Sequence, residues 1–79
     1  MRSSRAVAIR WELDPSELNN KEYSKIMKEI EAIAQEYNAS EFLVEYFGPL
    51  MIKIRAISNG RVIIRKVELV NNEFHKQTH

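Results

Sequence analysis

The chain predicts an α+β fold of β-α-β-β-β order. This is a two-layer sandwich in which one amphipathic helix packs on a mainly antiparallel four-stranded sheet. Three observations predict it. An alternating apolar segment opens the chain, one uninterrupted stripe at three- and four-residue spacing follows, and three more alternating segments come after it, divided by Gly48-Pro49 and Asn59-Gly60.

The first strand is read over residues 5–13, where Val7, Ile9, Trp11 and Leu13 share one side and Ala6, Ala8, Arg10 and Glu12 the other. Asp14-Pro15-Ser16 ends it, because proline fixes φ and removes a donor. Tyr23, Ile26, Met27, Ile30, Ile33, Ala34 and Tyr37 then form the apolar stripe of a helix. Asn19 is its N-cap, Glu22 completes a capping box, and Leu18 and Tyr23 hold the positions of a hydrophobic staple. Asn38 suits the left-handed residue at its end, so the Asn38-Ala39-Ser40 sequon is read as a helix-end turn. A start at Asp14 would lengthen the helix. The later start matches the length of a strand better: about 1.5 Å per helical residue against about 3.4 Å per strand residue.

Three strands follow. Phe42, Val44 and Tyr46 alternate with Leu43, Glu45 and Phe47, and Leu50, Ile52, Ile54 and Ala56 alternate with Met51, Lys53, Arg55 and Ile57. Asn59-Gly60 is the signal of a type I′ hairpin, both of whose central residues need positive φ. In the last strand Val62 and Ile64 are read as facing the helix. Val67 and Leu69 then fall out of phase, and a β-bulge near Arg65-Lys66 is expected to restore the register. The tail, 71–79, reads as polar and loose.

The 79 residues suit one domain spanning 1–79. With 44% hydrophobic residues and two glycines, the composition is that of a packed chain. Without cysteine there are no disulfides or thiolate zinc sites, and a reducing, cytoplasmic setting is expected. The apolar run after the basic N-terminus is too short for a signal-peptide core, and no stretch approaches the roughly 20 residues of a membrane span. Net charge is +1, divided unevenly: +3 over residues 1–10, −5 over 11–41 and +3 over 42–79. The acidic stretch, with Glu22, Glu29 and Glu36, is read as a solvated helix face.

Catalysis finds little support. His75 and His79 stand in the tail with no third ligand near, Glu12 and Asp14 fit a solvated turn, and each glycine stands alone in a turn rather than in a phosphate loop. No enzyme activity, cofactor or metal is expected. Trp11 reads as core.

The informative surface is the sheet face away from the helix, since one helix covers only one side. Its basic residues are expected to be Arg10, Lys53, Arg55, Arg61 and Arg65, beside the acids Glu12 and Glu45. Between them stand Leu43, Phe47, Met51, Ile57 and Ile63. Arginine mixed with methionine and aromatic residues is an interface composition. The expected function is a small non-enzymatic protein-interaction module, a regulator or inhibitor of a larger protein, of the kind found among viral or mobile-element proteins. Homodimerisation is a further expectation. The alternative is single-stranded nucleic acid, its phosphates following the arginines and a base stacking on Phe47. Against it stand the two outward carboxylates and the low net charge.

Overall fold

The computed structural model describes residues 7–69. Strand β1 is Ala8–Trp11, a 3-10 turn covers Pro15–Glu17, and helix α1 is Asn20–Tyr37. Strands β2 (Glu41–Tyr46), β3 (Met51–Ser58) and β4 (Arg61–Glu68) follow. One helix packs on one four-stranded mixed sheet of order β1-β2-β3-β4. β1 runs parallel to β2, and the other two pairs are antiparallel. Parallel neighbours need a crossover rather than a hairpin, and the 3-10 turn and α1 supply it.

The helix begins at the later of the two expected starts. Asn19 Oδ1 accepts from the Glu22 amide at 2.8 Å, and Glu22 Oε1 accepts from the Asn19 amide at 3.0 Å, closing the capping box. Asp14 caps the separate 3-10 turn, accepting from the Ser16 amide at 3.0 Å and the Ser16 hydroxyl at 2.8 Å. Asn38, at φ 57, ends the helix in the left-handed region, as the sequon residues suggested.

The core lies between α1 and the central strands. Ile26, Ile30, Ile33 and Ala34 from the helix meet Phe42, Val44, Ile52, Ile54 and Ala56 from the sheet. Each buried isoleucine contributes on the order of 1.5–3 kcal/mol relative to exposure. Trp11 is half-buried against this cluster and stacks on Tyr23 with ring centroids 5.8 Å apart. At the strand ends the core is smaller than the alternation implied: Val7, Tyr46 and Leu50 stay exposed, as does Tyr23 at the first helical turn.

The last strand departs from expectation. Asn59 (φ 52) and Gly60 (φ 79) form a two-residue hairpin loop with Ser58 opposite Arg61. Pairing then continues without interruption to Met51 opposite Glu68, so the expected bulge near Arg65-Lys66 is absent. Directly opposed residues share a face. Arg61, Ile63, Arg65 and Val67 therefore join Ser58, Ala56, Ile54 and Ile52 on the helix side. Val62 and Ile64, expected inward, point away from the helix and are 57% and 52% exposed.

Candidate protein-binding face

The open sheet face is built in cross-strand rows. Ala8, Glu41, Ile57 and Val62 form the first row, and Arg10, Leu43, Arg55 and Ile64 the second. Glu45, Lys53 and Lys66 form the third. Of the ten residues expected on this face, Arg10, Leu43, Met51, Lys53, Arg55 and Ile57 have the outward phase, and Phe47 joins them from the end of β2.

Arg61, Ile63 and Arg65 do not lie there. Ile63 packs against the core, Arg65 Nη1 donates to Glu29 Oε1 on the helix at 2.9 Å, and Arg61 stands opposite the buried Ser58. Val62, Ile64 and Lys66 take their places. The two-residue turn carried the signal that would have found them. It sets position 58 against 61, so inward even numbers on β3 require inward odd numbers on β4.

Among the described residues the face is electrostatically balanced. Arg10, Lys53, Arg55 and Lys66 are matched by Glu12, Glu41, Glu45 and Glu68. Arg10 Nε lies 3.1 Å from Glu12, while Lys53 and Arg55 share Glu45 at 3.5 and 3.7 Å. Lys53 and Lys66 are directly opposed, a repulsive arrangement. Phe47 folds back over them, its ring centroid 4.2 Å from the Lys66 ammonium and 5.4 Å from that of Lys53. Each of these four described cations thus has a partner on the face itself.

Two apolar areas remain. Ile57 faces Val62 directly, and Ile64 stands two residues along on the same side. These three side chains are 46%, 57% and 52% exposed. At the opposite end Phe47 and Met51 form a smaller group. Between β1 and β3 lies a shallow concavity lined by Arg10, Glu41, Leu43, Arg55 and Ile57, with the half-buried Leu43 central in its row.

Glu12 and Asp14, two carboxylates close enough in sequence to suggest an acid–base pair, have other partners. Glu12 pairs with Arg10, and the two hydrogen bonds from Ser16 hold the Asp14 carboxyl below its usual range. Among the described residues no group of three or more His, Cys, Asp and Glu stands in metal-binding proximity. No helix there is long and apolar enough to cross a membrane. His75, His79 and the 71–79 tail lie outside the described residues. Comparison with protein-family models, curated proteins and solved structures gives no match.

Proposed function

We propose that this chain is a non-enzymatic protein-interaction module that binds a larger protein through its open sheet face, acting as a regulator or inhibitor. The observation that carries the proposal is the joint presence of charge balance and exposed aliphatics. Among the described residues the charges of the face sum to zero, its cations have partners, and Ile57, Val62 and Ile64 stand bare beside them. Arginines paired with glutamate across a surface give orientation and specificity to a protein contact, while the aliphatic patch gives burial. The lack of cysteine supports a reducing, cytoplasmic setting for that encounter.

The same features weigh against single-stranded nucleic acid. A phosphate backbone would have to displace Glu45 from Lys53 and Arg55 and approach three further carboxylates. Phe47, the aromatic on which a base would stack, already lies under two ammonium groups.

The test uses the intact chain as immobilised bait in an extract of its source cells, with and without nuclease. A protein retained in both arms, and lost with Arg55→Glu or Ile57→Glu, supports the proposal. Retention abolished by nuclease, together with oligonucleotide affinity falling steeply with salt, would replace it with the nucleic-acid reading.

A further inference from the structure

The free edge of β4 is a second surface, distinct from the sheet face. Among the described residues no strand pairs with that side of β4. Ser58 and Arg61 close the two-residue hairpin as a hydrogen-bonded pair, and such pairs alternate along an antiparallel ladder. The bond from the Leu69 amide to the Leu50 carbonyl, 2.9 Å, keeps the same alternation at the far end. The amides and carbonyls of Val62, Ile64, Lys66 and Glu68 therefore point away from β3. One of these groups is already used: the Glu68 carbonyl accepts from Lys25 Nζ at 2.7 Å. Among the described residues, what remains open is the segment from Val62 to Lys66, unbulged and free of proline. Edges of this kind are normally blunted or paired.

We propose that this edge pairs antiparallel with the β4 edge of a second copy, about a two-fold axis at Ile64, giving a continuous sheet across two chains. The register follows from charge and hydrogen bonding together. A two-fold pairing with long overlap is centred on either Ile64 or Arg65. Centred on Arg65, it sets that arginine against its own copy and requires Glu68 to give up Lys25.

Centred on Ile64, it opposes Val62 with Lys66 and Ile63 with Arg65 of the second copy, so no like charges meet. It draws only on the backbone groups of Val62, Ile64 and Lys66, which are the ones left open. The Ile57, Val62 and Ile64 patches of the two chains then become one apolar area across the axis. The proposal does not depend on face binding to a larger protein, because it uses backbone edge groups rather than the face charges.

Sedimentation velocity from low to high micromolar concentration tests it on the whole chain. The wild type is expected to show a dimer that grows with concentration. Ile64→Lys, at an exposed side chain, should keep the circular dichroism of the fold and weaken association at least about tenfold, by placing two lysines at the axis. The chain has no cysteine, so single substitutions give a second readout that does not rely on that variant folding.

Across the axis two copies of Ile64→Cys would have Cα atoms about 5.5 Å apart, within disulfide reach. Two copies of Lys66→Cys would be offset by roughly 14 Å. Preferential crosslinking at 64 supports the register. A wild type that stays monomeric throughout, a dimer that Ile64→Lys leaves intact, or equal crosslinking at 64 and 66 would each overturn it.

Discussion

Arg65 Nη1 lies 2.9 Å from Glu29 Oε1, joining the last strand to the middle of the helix. Both side chains are 35% exposed, so solvent screening leaves such a pair worth no more than about 1 kcal/mol. The pair reports the orientation of β4 rather than enforcing it. Burial of Val67, packing of Ile63 against the core and the geometry of the Asn59-Gly60 turn set that orientation. An arginine there suits the site, since its aliphatic stem covers the sheet while its head reaches the helix acid.

Neighbouring isoleucines on β4 should therefore differ in how much a charge costs. Ile63→Asp puts an unpaired carboxylate against Ala56 and the helix, and should cost about 2–4 kcal/mol in urea unfolding. Ile64→Asp changes an exposed position and should stay within about 1 kcal/mol. Both are measured at low protein concentration, where self-association does not contribute. A larger cost at Ile64 than at Ile63 would reverse the assigned faces.

That contrast marks what the sequence made legible. The helix was readable to its caps, because Asn19, Glu22 and Asn38 act through local hydrogen bonds and backbone geometry. Ile52, Ile54 and Ala56 were readable because alternation and burial agree. In β4 they do not agree in the simple way: Val62, Ile63 and Ile64 are consecutive aliphatics, so hydrophobicity alone leaves the phase open. Turn arithmetic decides it, and it moves Arg61, Ile63 and Arg65 off the candidate face. The fold of Phe47 over Lys53 and Lys66 had no local signal, because it depends on which lysines the hairpin register brings together.

Ser58 joins the hairpin to the helix end. Its hydroxyl donates to the Tyr37 carbonyl, one of the final carbonyls that lack an intrahelical partner. Ser58 is only 7% exposed, so Ser58→Ala leaves that carbonyl short of a donor that water replaces poorly. A loss of about 1 kcal/mol is expected from the denaturation midpoint. Ser58→Thr, which keeps the hydroxyl, should lose less if the added methyl is accommodated. A fully neutral Ser58→Ala would remove the bond from the account of helix termination.

Asp14 gives a pH signature. Its carboxyl is held below the usual 3.8 first by the Ser16 hydroxyl and then by the Ser16 amide. A lowered folded-state value means that the charged form is favoured by folding. Its contribution is present above 3.8 and fades as pH falls through the lower folded value. Carbon-detected titration should place the Asp14 midpoint below 3.8, and Ser16→Ala should move it upward. A midpoint unchanged by Ser16→Ala would assign the shift to another cause.

Phe47 should show a stability effect that depends on salt. With its ring removed, Lys53 and Lys66 face each other directly, and only Lys53 keeps Glu45 as a partner. The ammonium–ring contacts are worth about 0.5–1 kcal/mol at an exposed position, and the opposed lysines add a repulsion that salt screens over about 10 Å at 0.1 M. Phe47→Ala should therefore destabilise the fold by about 1 kcal/mol at low ionic strength, and by less in 1 M salt. Phe47→Leu separates the two causes, because it keeps apolar cover but loses the ring face. If Phe47→Leu matches the wild type at every salt concentration, the ring serves only as bulk. If it follows Phe47→Ala, the π-face holds the two lysines together, and the third row of the open face owes its order to that one aromatic.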